Sequence, residues 1–147
     1  MSIRRRDVLK PVAATALTSR PLMTVTIAAA PPQKLGTVPH GIRSIVPVTG
    51  GDFEGPRLRG KVLPGGGDWL LLRPDGVLEL DLRITLETDD HALIYMTFQG
   101  LRHGSYFRTL PRFETSTGTY AFLNRIVSVG VGEARPDGAV HRIDEIL

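Results

Sequence analysis

Leu80-Asp81-Leu82-Arg83-Ile84-Thr85-Leu86 alternates apolar and polar side chains without a break. A period of two belongs to a strand with one face in a core. One face carries Leu80, Leu82, Ile84 and Leu86; the other carries Glu79, Asp81, Arg83, Thr85 and Glu87. Pro74-Asp75-Gly76 precedes this run, and residues 69–73 lie on its far side. Pro presets φ, Asp bonds locally and Gly accepts a positive φ, so the pair reads as a β-hairpin. Thr88-Asp89-Asp90-His91 is the next turn, and a strand is expected over 92–98.

Further strands are expected over 23–29, 42–48 and 58–63, over 120–131, and over 140–146 after a second Pro136-Asp137-Gly138 turn. No window shows an apolar stripe at i, i+3, i+4, i+7. Eight or nine short strands at even spacing mean an antiparallel all-β sandwich or barrel. A barrel of about eight strands holds packed side chains or one small ligand.

The chain has 147 residues, which suits one domain, and 41% of them are apolar. With no Cys, thiolate nucleophiles, disulfides and zinc–thiolate sites are excluded. No apolar run approaches the roughly 20 residues of a spanning helix, so no membrane span is expected. The pI of 9.7 suggests nucleic acid, but the charge is local. Residues 1–20 hold five basic residues and one acidic one; removing them from the chain's 18 and 15 leaves 13 and 14. A body without a basic stripe does not fit a phosphate backbone.

That basic head, 1–20, has the order of a shortened twin-arginine export signal. Arg5-Arg6-Asp7-Val8-Leu9-Lys10 is followed by small apolar residues. Export to the periplasm is expected if the signal works; otherwise the protein is cytoplasmic. The single barrel domain is expected over 21–147.

Little in the body points to a named chemistry. Gly50-Gly51 and Gly65-Gly66-Gly67 lack the Gly-x-x-x-x-Gly-Lys order of a phosphate loop and read as turns. His40, His91, His103 and His141 show no metal spacing, and there is no Gly-x-Ser-x-Gly elbow. Asp81 and Arg83 point the same way from one strand. Facing outward they are a solvated pair of small energetic weight. Facing a lumen they would orient a polar ligand or do acid/base work. Pattern alone favours outward. Tyr106, Phe107, Phe113, Tyr120 and Phe122 surround Arg108 and Arg112, either as a core or as an aromatic wall with a carboxylate-binding Arg.

The stretch from Ile45 to Gly60, with Val46-Pro47-Val48-Thr49-Gly50-Gly51-Asp52-Phe53-Glu54-Gly55-Pro56-Arg57, resembles the DUF3237 family, also called UPF0311. So do Pro64-Gly65-Gly66-Gly67-Asp68-Trp69, Tyr106-Phe107-Arg108-Thr109 and Tyr120-Ala121-Phe122-Leu123-Asn124-Arg125. The resemblance covers residues 21–147 and implies a lipocalin-like β-barrel, with no settled activity. It implies a first strand over 22–29. The matching polar positions are Glu54, Arg57, Asp68, Trp69, Asp81, Arg83, Tyr95, Arg112 and Asn124, and the resemblance turns the expectation for Asp81 and Arg83 toward the lumen. The chain departs from the family pattern in its direct Gly104-Ser105 join, in Phe122 for Trp, in Ile84 for Tyr and in His91 for a turn Gly.

The leading functional expectation is a small-molecule-binding barrel whose ligand is partly apolar with a polar or acidic end. Trp69, Arg83, Tyr95, Arg112 and Asn124 would bind it. The alternative is a cofactor-independent lyase, isomerase or cyclase, with Asp81 or Glu54 as acid or base. A second alternative is a filled barrel acting as an interaction domain. No cofactor or metal is expected, and exposed strand edges permit a homodimer.

Overall fold

The computed structural model describes residues 11–13, 16–116 and 118–147. Ten strands follow one another: β1 Ser19–Ala29, β2 Gln33–Val38, β3 Gly41–Glu54, β4 Arg59–Val62, β5 Gly67–Leu72, β6 Leu78–Thr88, β7 Leu93–His103, β8 Tyr106–Thr115, β9 Ser128–Arg135 and β10 Gly138–Ile146. A single 3₁₀ turn, Ala121–Arg125, precedes β9. Every pairing is antiparallel.

The sheet runs β1-β10-β9-β8-β7-β6, then β4 and β5 end to end, then β3, which pairs back onto β1. This closes an eight-stave barrel. The long β3 serves two sets of neighbours. Ile42–Pro47 pairs with β5, while Val48–Glu54 pairs with β1. On one edge β3 passes from β2 to β1 between Ile45 and Val48, and on the other it passes from β5 to β4 across Gly50-Gly51. Gly51 has φ +136, and a Cβ there would lie 2.0 Å from the Thr26 carbonyl oxygen. Only glycine lets β1 come this close.

The hairpins follow the turn chemistry. Arg73 N–H donates to the Val77 carbonyl across Pro74-Asp75-Gly76, and the Asp75 carboxylate accepts from Val77 N–H. Gly104-Ser105 joins β7 to β8, pairing His103 with Tyr106. His91, at a turn where glycine is usual, takes φ 69. It is the one positive-φ non-glycine among the described residues.

Alternation sends one face of each stave inward. Val25, Phe53, Ile84, Leu86, Ile94, Met96, Phe98 and Ile143 fill much of the lumen and are at most 2% exposed. Each contributes about 1.5–3 kcal/mol by leaving water. Leu123, 1% exposed, closes one end from the 3₁₀ turn. Beside it Glu145 accepts from Arg20 (2.8 Å) and Arg57 (3.1 Å), and the Arg57 guanidinium lies 4.0 Å over the Phe122 ring.

Three expectations change. The segment 120–131 is not one strand: its first part is the 3₁₀ turn Ala121–Arg125, and β9 begins at Ser128. The aromatic-rich 106–115 segment is a strand, and the first strand starts at Ser19 rather than Leu22. The basic head lies largely outside the described residues.

Gly51→Ala should cost about 3 kcal/mol or more in urea denaturation, because the added Cβ meets backbone on the closing seam. Gly76→Ala, at φ +85 with open space around it, should cost only about 1–2 kcal/mol.

Candidate functional site

The lumen is filled at one end and open at the other. A cavity of about 580 Å³ lies in the open half, between the Ala29–Pro32 linker and the Pro136–Gly138 turn. Ala29, Ala134 and Ala139 are small residues on its wall, opposite larger ones such as Leu70, Leu78, Leu80, Leu82 and Phe107. Short side chains on inner positions leave the centre of an eight-stave barrel unoccupied.

Four titratable residues line this largely apolar space: Asp68, Arg102, His141 and, at the β9–β10 turn, Asp137. Arg102 follows Ile94, Met96, Phe98 and Gly100 on the inner face of β7. Its guanidinium stacks 5.4 Å over the Phe107 ring, and among the described residues no carboxylate lies within ion-pair distance of it. His141 faces inward beside Val25 and Gly132. It is 1% exposed, with the Phe98 and Phe107 rings 4.8 and 5.2 Å away. A Cβ on Gly132 would lie 2.5 Å from the Phe107 ring, so glycine makes the place for that ring. Among the described residues the His141 Nδ1 has no hydrogen-bond partner. Burial pushes the imidazole down to about 4, so it is neutral at pH 7.

Asp68 faces inward opposite Val46 and Leu82. Burial pushes its carboxyl up to about 6, against a hydrogen bond from Asp81 N–H and with help from the like charge of Asp81. The Oδ1 accepts that N–H at 3.0 Å. A carboxyl of this pKa holds and releases a proton near neutral pH.

The lumenal orientation expected for Asp81 and Arg83 is corrected. Leu80, Leu82, Ile84 and Leu86 occupy the inside, so their neighbours must point out. Trp69, Asp81 and Arg83 do come together, on the outer face of β5 and β6. The Arg83 guanidinium is 3.9 Å from the Asp81 carboxylate and 5.8 Å from the Trp69 ring. Trp69 and Asp81 line an outer groove of about 800 Å³ with Arg43, Tyr106 and Arg108. Tyr95 and Arg112 stand exposed on the outer faces of β7 and β8, and Glu54 is exposed at the end of β3. Asn124 is spent on structure: its Oδ1 accepts from Thr115 N–H and its Nδ2 donates to the Thr115 carbonyl. None of these seven lines the lumenal cavity.

Arg102 and His141 were not singled out from the sequence, although a signal existed. Extending the Ile94, Met96, Phe98 alternation by two steps reaches Arg102. His141 stands between Ala139 and Ile143 on the apolar face of its strand.

The two buried groups oppose each other in pH dependence. Asp68 is raised from 3.8 to about 6, so the native state binds a proton that the unfolded chain lacks, and this stability is lost as pH rises from about 4 to 6. His141 is lowered from 6.5 to about 4, so its contribution is lost as pH falls across nearly the same window. Relative to the parent protein, Asp68→Asn should gain stability from pH 4 to 6, while His141→Phe should gain from pH 6.5 to 4. Each change should approach about 2–3 kcal/mol in urea denaturation at stepped pH. Parallel curves for the three proteins would show that neither group titrates differently on folding.

Comparisons with known proteins agree with this architecture. The family model for DUF3237, a protein of unknown function, matches residues 17–105 and 102–146. A UPF0311 protein of Rhodopseudomonas palustris is 31% identical over 149 residues, covering 89% of this chain and 97% of the relative. The crystal structure of a conserved protein of unknown function from R. palustris superposes with a TM-score of 0.88 at 31% identity, covering 91% of this chain and all of that one. A β-barrel-like protein of Acinetobacter baumannii gives 0.86 at 33% identity, covering 93% of this chain and all of that one. Matched along nearly all of its described length, in sequence and in fold, the chain belongs to the DUF3237 (UPF0311) family.

Proposed function

We propose that the open half of the lumen binds a small organic molecule, partly apolar, with an acidic end. The observation that carries this reading is the His141 Nδ1, buried in an apolar cavity with no partner. A buried polar atom without a hydrogen bond is costly, and a ligand hydroxyl or carbonyl would satisfy it. Arg102, in no ion pair among the described residues, supplies a cation with which a ligand carboxylate would form a charge-assisted pair. Phe107 and the leucines of the cavity wall offer apolar surface to the ligand's body. A mostly apolar pocket with a few convergent polar groups is the common form of a ligand site.

Asp68 favours a second reading, a cofactor-independent acid/base enzyme on the same cavity. Its carboxyl, pushed up to about 6, exchanges protons near neutrality. The acid/base role then passes from Asp81 and Glu54 on the outer surface to Asp68 inside.

A thermal-shift screen against aromatic and aliphatic acids, alcohols and ketones tests both. A ligand at a hundred times its Kd adds about 2.7 kcal/mol of stability. Arg102→Ala should weaken binding of an acidic hit roughly 10- to 100-fold, and His141→Phe should weaken it too, while Arg83→Ala and Tyr95→Ala should leave it unchanged. A hit insensitive to Arg102 and His141 would place binding outside the lumen. Incubating the hit for hours separates the readings: an enzyme converts it, and Asp68→Asn keeps binding while losing conversion.

A further inference from the structure

The β5–β6 ladder has a gap. Its pairs are Gly67–Arg83, Asp68–Leu82, Leu71–Glu79 and Leu72–Leu78. The same register would pair Trp69 with Asp81 and Leu70 with Leu80, and those two pairs are missing. One redirected hydrogen bond accounts for both. The Asp81 N–H, which an unbroken ladder would give to the Trp69 carbonyl, goes to the Asp68 carboxylate at 3.0 Å. The released Trp69 carbonyl accepts instead from Arg43 Nη1 at 3.3 Å.

The gap lies in the wall between two cavities. Asp68 and Leu70 line the lumenal cavity, Trp69, Asp81 and Arg43 line the outer groove, and Leu80 borders both. A side chain on the inside therefore decides a backbone bond that positions three groups on the outside.

We propose that Asp68 is a two-position switch: ionised, it takes the Asp81 N–H and leaves the Trp69 carbonyl to Arg43; neutralised, it returns that N–H to Trp69 and closes the ladder. An ionised carboxylate is the stronger acceptor, and a neutral carboxyl is weaker and must place a proton of its own. Both arrangements satisfy the Asp81 N–H, so the element has two discrete states that one site can bias for the other. A proton in the lumen, or a ligand that occupies the Asp68 oxygen, then repositions Trp69, Arg43 and Asp81 in the groove. The charged groups around Asp68 are Asp81 and its partner Arg83 on β6, Arg43 on β3, and Arg102, His141 and Asp137 on the lumen wall. Raising of the Asp68 pKa to about 6 brings the change into an accessible pH range. The switch is a property of the unliganded protein, so its test does not depend on the proposed ligand site.

The experiment follows the Asp81 amide in 1H–15N spectra of the labelled full chain, and the emission of Trp69, the chain's one tryptophan, from pH 4.5 to 8. Both signals should titrate together with a midpoint near 6. In Asp68→Asn and Asp68→Leu, neither of which can ionise, both signals should stay flat at the parent protein's low-pH position. Two variants are used so that a folding failure in one leaves the other to decide. A flat Asp81 amide in the parent protein overturns the proposal. So does an Asp81 titration without Trp69, or a midpoint near 6 that survives in either variant.

Discussion

Six register pairs between β1 and β3, from Thr24–Glu54 to Ala29–Val48, turn a sheet with two free edges into a tube. Without them β1 would be an open edge, and its inward residues Val25 and Ile27 would face water rather than a core. The contact is possible because β3 exchanges β2 for β1 along this edge after Ile45, and because Gly51 lets the chain pass against the Thr26 carbonyl. Once the tube is closed, each side chain along a stave has two choices, inside or outside. The inside of eight staves is narrow enough for a few phenylalanines, leucines and isoleucines to fill most of it.

Polar groups kept in such a place need a reason. Glu145, near the sealed end, has one in its two arginines. At the open end, among the described residues, His141 Nδ1 has no hydrogen-bond partner and Arg102 is in no ion pair. Asp68 has a single backbone N–H in a setting that raises its pKa. The first pattern is a stabilised buried charge, and the second is a set of groups arranged for something else. Ala29, Ala134 and Ala139 stand among the leucines and the Phe107 ring that line the second region, so the space lies beside His141 and Arg102.

The lumen and the outer groove are not independent features. They share the β5–β6 wall, and that wall is where the ladder is broken by a side chain rather than by a bulge or a proline. The residues that sequence reasoning grouped as a site, Trp69, Asp81 and Arg83, gather on the outer side of this wall, with Asp68 on the other.

Alternation along β6 was enough to determine the inside and outside of that strand, because four aliphatic side chains on one parity leave no other face for the core. It placed Asp81 and Arg83 outside, and the family resemblance that argued otherwise did not change that constraint. Turn chemistry likewise settled the Pro74-Asp75-Gly76 and Pro136-Asp137-Gly138 hairpins, since those residues restrict their own backbone. The segment from Tyr120 to Arg125 was misread because its apolar residues suit a strand, while packing Leu123 into the barrel end needs a tight turn. What the linear chain could not decide was which distant residues meet. Asp68, Arg102 and His141 lie on three staves, separated by tens of residues, and converge only because β1 closes on β3. Local pattern assigns a side chain to a face; only closure assigns it to a neighbourhood, because a residue's neighbours across a lumen share no local sequence with it.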